Sequence, residues 1–131
     1  MSASVVLTVA QSNSTEEYSF DSPGHCIVGR ADDCDVQLPN DPHFADVSRH
    51  HCLFEIEPPR VRVRDLGSLN GTYVNDERVG RRRGGQSPRE AAIETYVGRE
   101  LKDGDEVRVG GTVIQVGIVV YDWQPDSMSS L

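Results

Sequence analysis

The sequence predicts an all-β domain built as an antiparallel sandwich. Three observations point there. Short β-branched and apolar runs recur along the chain, as in Ser4–Ala10 and Thr112–Tyr121. Several runs alternate apolar with polar side chains, the period of a half-buried strand. Turn signals such as Asn70-Gly71, Asn75-Asp76 and Gly110-Gly111 separate them.

Taken in order, Ser4–Ala10 is a first strand, Gln11–Thr15 a polar turn, and Glu16–Phe20 a second strand. Pro23-Gly24 breaks the chain, and His25–Val28 follows as a third strand ending at Gly29-Arg30. Asp35–Leu38 is a short strand, whereas Pro39–Asp46, with two prolines, reads as a loop. Cys52, Phe54 and Ile56 should face the core, with Leu53, Glu55 and Glu57 on a mostly wet face. Pro58-Pro59 makes a turn, after which Val61, Val63 and Asp65 alternate with Arg60, Arg62 and Arg64. Asn70-Gly71 supplies the positive φ of a tight turn. Thr72–Val74 and Glu77–Val79 flank a two-residue hairpin turn at Asn75-Asp76. Asp103-Gly104-Asp105 turns into Glu106–Val109, and Gly110-Gly111 into the last long strand.

One segment departs from this pattern. Ser87-Pro88-Arg89-Glu90 is a capping box with proline at the first helical position. Ala92 with Tyr96 and Ile93 with Val97 repeat at helical spacing, and Gly98 can stop the helix. A short helix over 88–97 follows, too short to stand alone, so Ile93 and Val97 should pack on the sandwich. Thr95 reads as an unmodified helix residue, with phosphorylation as a switch the weaker alternative. Arg81-Arg82-Arg83-Gly84-Gly85 reads as a mobile, solvated charge run, the weaker alternative being that its arginines extend a binding site toward acidic ligand residues.

Bulk properties narrow the function. A chain of 131 residues suits one domain. Its formal charge of -8 argues against a general nucleic-acid binder, which needs a basic face. No apolar run of transmembrane length and no leader pattern stands out, so no membrane role is expected. Cys26, Cys34 and Cys52 form no CxxC pair and read as reduced thiols of a cytoplasmic protein.

The chemistry concentrates in three segments. If Gly29-Arg30, Ser48-Arg49 and Asn70-Gly71 meet at one sheet edge, Arg30 and Arg49 offer guanidinium forks that match phosphate geometry. Ser48 adds a hydroxyl donor, and Asn70 an amide able to hold a peptide backbone. Together they suit capture of a phosphorylated peptide strand. Two other readings are weaker. His50 and His51 beside Cys52 invite a zinc site, but Cys52 shares the face of Phe54 and Ile56, so no metal or cofactor is expected. Ser48 near Asp46, His50 and His51 suggests a hydrolase, yet no nucleophile elbow is present.

These residues carry a resemblance. Gly29-Arg30, Ser48-Arg49-His50-His51 and Ser68-Leu69-Asn70-Gly71-Thr72-Tyr73-Val74-Asn75 resemble the GR, SRxH and SxNGTxVN motifs of the forkhead-associated (FHA) domain, in the same order. Asp103–Val107 followed by Gly110 is similar as well, and coverage runs from about residue 5 to 120. The resemblance implies an antiparallel β-sandwich of eleven strands that binds phosphothreonine peptides through loops at one end. It implies that Arg30 and Ser48 contact the phosphate, with Arg49 adding another contact and Asn70 holding the peptide backbone. Gly29, His51, Gly71, Thr72 and Asn75 would shape the loops.

There are three departures from the pattern. Leu69 stands where some members place a Ser or Thr that touches the phosphate. The loop Pro39–Val47 is a few residues longer than usual. Residues 81–99 form an insertion to which no family role attaches. The expectation is therefore one domain over 1–123, including that insertion, and a flexible tail over 124–131. Its function would be a non-catalytic, monomeric phosphothreonine reader in Ser/Thr-kinase signalling. The alternative is a phosphate-independent interaction or assembly domain on the same scaffold. The acidic body suggests partners with neutral or basic flanks.

Overall fold

The computed structural model describes residues 2–11, 14–90 and 98–121. They form eleven strands in two sheets that face each other across one core. The strands are β1 (Ser2–Gln11), β2 (Ser14–Phe20), β3 (Gly24–Gly29), β4 (Val36–Gln37), β5 (Cys52–Glu57) and β6 (Arg60–Asp65). There follow β7 (Thr72–Val74), β8 (Glu77–Gly80), β9 (Arg99–Glu100), β10 (Glu106–Val109) and β11 (Thr112–Tyr121). One sheet has the order β2-β1-β11-β10-β7-β8, the other β4-β3-β5-β6-β9. Among the described residues no helix is long and apolar enough to cross a membrane.

The period-2 pattern explains which side chains meet. Val5, Leu7 and Val9 of β1, with Ile114 and Val116 of β11 and Val107 and Val109 of β10, face inward from the first sheet. Cys26 and Val28 of β3, Cys52, Phe54 and Ile56 of β5, and Val61 and Val63 of β6 meet them from the second. Burying one such side chain stabilises the fold by about 1.5–3 kcal/mol. The three cysteines are free, and burial pushes the Cys26 thiol up to about 12, which keeps it unreactive.

Local turn chemistry accounts for the hairpins. Asn75 and Asp76 take positive φ angles of 48° and 70°, the conformation a two-residue β7–β8 connection requires.

The eleven-stranded sandwich is the expected one, with β3 and β4 as a parallel pair in an otherwise antiparallel framework. The structure corrects three sequence-based expectations. Leu53 lies on the outer face of β5 but is buried, flanked in register by Ile27 and Arg64. Strand β9, unforeseen because it has two residues, adds to β6 and closes the insertion against the second sheet. The segment 81–85 is seated: Arg82 donates its backbone N–H to the Ser68 carbonyl over 2.7 Å, and Arg83 donates to the Gln86 side chain. The capping box forms, with Ser87 Oγ accepting the Glu90 N–H and bonding the Glu90 carboxylate. Residues 88–90 are helical, while the remainder of the expected helix, Ile93, Thr95 and Val97 included, lies outside the described residues. So does the tail 124–131.

Candidate functional site

Gly29, at the end of β3, marks where two chain segments touch. A Cβ there would lie 2.1 Å from the Arg49 carbonyl oxygen and 3.0 Å from that of Ser48, so only glycine fits. The close approach lets the chain zip together. Arg30 N–H donates to Ser48 O, Ala31 N–H to Arg49 O, and His51 N–H to Val28 O, at 3.2, 2.9 and 2.8 Å. Arg30, Ser48 and Arg49 are thereby brought to one end of the sandwich.

The Arg30 guanidinium is braced from its rear. Nε donates to the Val47 carbonyl, and an η nitrogen donates to Asn40 Oδ1 over 2.7 Å. Two of the five N–H donors of an arginine are thus committed and three remain for a ligand. Asn40 belongs to the long loop after β4 and was not anticipated. Ser48 Oγ accepts the Leu69 N–H at 3.0 Å, which leaves its own proton to be donated. Asn70 uses its amide nitrogen on the Asp46 carbonyl at 3.1 Å and keeps its carbonyl oxygen for another donor. Arg49 is exposed beside them.

Two buried polar groups hold the loops in place. His51 is fully buried: Nδ1 accepts the Ser48 N–H at 3.0 Å, so Nε2 carries the proton and donates it to the Gly71 carbonyl at 2.8 Å. Burial lowers its pKa below the ordinary histidine value, outweighing the Gly71 carbonyl and Asp65, which pull the other way. Asp65, also buried, organises the β6–β7 loop. One carboxylate oxygen accepts the N–H groups of Gly67 and Ser68 at 2.9 and 2.8 Å. The other accepts the hydroxyls of Ser68 and, at 2.7 Å, Thr72. Ser68 Oγ in turn accepts the Gly71 N–H. The sequence signal for Asp65 was its place on the buried face of β6 after Val61 and Val63; its role in the loop went unread.

Asn75 stands apart from this cluster. It lies at the end of β7 away from Gly71, where its side chain bonds Asp105 and accepts the Glu106 N–H. It fixes the β7–β8 turn to the start of β10 and does not shape the loops around Arg30.

The groove between these loops encloses about 600 Å³, within the usual range for ligand clefts. Arg30, Ser48, Arg49 and Asn70 line it together, with Leu69 contributing an exposed apolar side chain at its rim. The insertion reaches it too, through Arg82, Pro88 and Arg89, which the sequence had left as a solvated charge run and a helix start.

Among the described residues one group could hold a metal, and its His50 also lines the groove. Asp33, Cys34 and His50 hold ligand atoms within 4.8 Å of one another. Each already has a partner: His50 bonds Asp33 at 2.8 Å, and the Cys34 thiol donates to the Arg49 carbonyl. Burial raises the Cys34 pKa, which disfavours the thiolate a metal would need. His51, Cys26 and Cys52 are built into the core, away from such a role.

Comparison with known proteins places this arrangement. The family model for the FHA domain matches residues 26–88, the span that holds Gly29, Arg30, Ser48 and Asn70. The glycogen accumulation regulator GarA of Mycolicibacterium smegmatis is 34% identical over 110 residues, covering 83% of this chain and 56% of GarA. The chain therefore spans about half of that relative. An FHA domain solved in a study of phosphothreonine-dependent interactions superimposes with a TM-score of 0.62 at 27% identity, covering 94% of this chain and all of that one. The FHA domain of FhaA, solved in complex with the intracellular domain of Rv3910, gives 0.62 at 29% identity over 86% of this chain and 98% of its own. Residues 26–88, which hold the glycine contact, the braced arginine and the two buried loop anchors, match the FHA-domain family.

Proposed function

We propose that this chain is a non-catalytic module that binds phosphothreonine peptides from Ser/Thr-kinase substrates. The observation that carries the reading is the convergence of Arg30, Ser48 and Asn70, each already tied at one end and open at the other. Arg30 presents its remaining N–H donors to the phosphate oxygens in charge-assisted bonds, and the Ser48 hydroxyl donates a further one. Arg49 contributes from the rim, and Asn70 Oδ1 accepts a backbone N–H from the peptide strand. Gly29, His51, Gly71 and Thr72 keep these groups in register. The likeness to a domain studied for phosphothreonine-dependent interactions supports the choice of ligand.

The working unit is a cytoplasmic monomer over residues 1–123, and its acidic body turns away nucleic acid. Among the described residues outside the groove, a phosphate-independent assembly role is favoured only by the exposure of Val119, Val120 and Tyr121. They alternate between the two faces of β11 and so form no single patch.

The test is titration of the chain against one peptide in phosphothreonine, phosphoserine and unmodified forms, and of Arg30→Ala against the first. Binding should be confined to phosphorylated peptide, strongest for phosphothreonine, and Arg30→Ala should weaken it by about a hundredfold, equal to about 2.7 kcal/mol. Equal binding of phosphorylated and unmodified forms would move the function to the assembly reading.

A further inference from the structure

The insertion between β8 and β9 adds positive charge to the groove. Among the described residues four arginines line it, namely Arg30, Arg49, Arg82 and Arg89, and no carboxylate does. That is a sharp local reversal in a chain with 21 acidic and 13 Lys and Arg residues. Only Arg30 and Arg49 come from the strand-end motifs. Arg82 and Arg89 come from the insertion, and backbone contacts fix both next to the β6–β7 loop.

Those contacts are specific. Arg82 N–H is bonded to Ser68 O at 2.7 Å, one residue before Leu69, whose N–H reaches Ser48. The backbone of Pro88 presses so closely on Gly67 that a Cβ there would lie 2.2 Å from the Pro88 carbonyl oxygen. Arg89 follows directly. A freely solvated charge run has no reason to dock through two such contacts, and like charges gathered in one groove repel unless a ligand compensates them.

We infer that Arg82 and Arg89 read a second negative group on the bound peptide, close in sequence to the phosphothreonine. This rests on the phosphopeptide reading and deepens it, since it assigns the ligand class: a phosphothreonine flanked by an acidic residue or by a second phosphate. It replaces the neutral or basic flanks expected from the overall charge, because the groove, not the acidic body, is what a flanking residue meets. Leu69, an exposed apolar side chain in the same lining, offers the peptide an apolar surface beside the arginines.

The experiment uses the 131-residue chain and phosphothreonine peptides in three series, with neutral flanks, with one glutamate moved along either side, and with one phosphoserine moved likewise. Affinity is measured at low and high salt for the parent, for the pair Arg82→Ala with Arg89→Ala, and for the pair Arg82→Lys with Arg89→Lys. The parent should bind its best anionic-flanked peptide about tenfold tighter than the neutral one, with the advantage shrinking in salt. Comparison of the glutamate and phosphoserine series identifies which source of charge is read. The alanine pair should erase the advantage and the lysine pair restore most of it. Equal affinity for neutral and anionic flanks in the parent, or an advantage that survives the alanine pair, overturns the inference but leaves phosphothreonine binding standing. Failure of every phosphothreonine series to bind overturns both.

Discussion

At the scale of single residues, the site depends on side chains that never meet a ligand. Gly29 contributes by lacking a Cβ, which is what allows Ser48 and Arg49 to lie against the end of β3. Gly29→Ala should therefore cost about 2–4 kcal/mol and weaken phosphopeptide binding by displacing Ser48. Denaturant unfolding and a peptide titration on the same sample check both. His51 makes a second prediction, through pH. Its folded-state pKa lies below the unfolded value, so as pH falls through about 6.5 the unfolded chain takes up the proton first and stability drops. Above that range its contribution does not change with pH. Unfolding midpoints of the parent should fall more steeply below about pH 6.5 than those of His51→Gln, which has nothing to titrate there. Parallel profiles for the two proteins would remove His51 from the account.

At the scale of elements, the β6–β7 loop is held by one buried carboxylate. Asp65 accepts two backbone N–H groups and two hydroxyls, so Asp65→Asn places an amide donor against groups that already donate. The expected loss is about 2–4 kcal/mol, read by chemical unfolding, with the amide resonances of Gly67 to Thr72 shifting most in the spectrum of the variant. Much at this scale was legible beforehand. The β5 and β6 alternation and the Asn75-Asp76 turn are written in neighbouring residues, and local sequence decides them. What was missed depends on distant partners. The two residues of β9 become a strand only because β6 offers them an edge, and β4 runs parallel to β3 because the connecting loop doubles back. Asn40 and Arg82 gained their places from contacts across loops that carry no periodic signal. Asn75 reads from the motif as loop-shaping, and the loop it holds is the β7–β8 turn, a three-residue strand away from Gly71.

At the scale of the whole molecule, two sheets share one core and leave their loops to carry the chemistry. The net charge of -8 sits outside the groove, and the groove itself is arginine-lined. Overall composition could exclude a basic nucleic-acid surface but could not reveal this local reversal. The insertion illustrates how such a module changes its range without altering its core, by laying new side chains against a loop the scaffold already fixes.

The most direct test of the central claim is to titrate the isotope-labelled chain with a phosphothreonine peptide and follow each amide by NMR. Shifts should concentrate at Arg30, Ser48, Arg49, Leu69 and Asn70, leave the Asn75–Asp76 turn unmoved, and vanish when the peptide is dephosphorylated. Shifts spread over the strand faces, or the same shifts with unphosphorylated peptide, would contradict it.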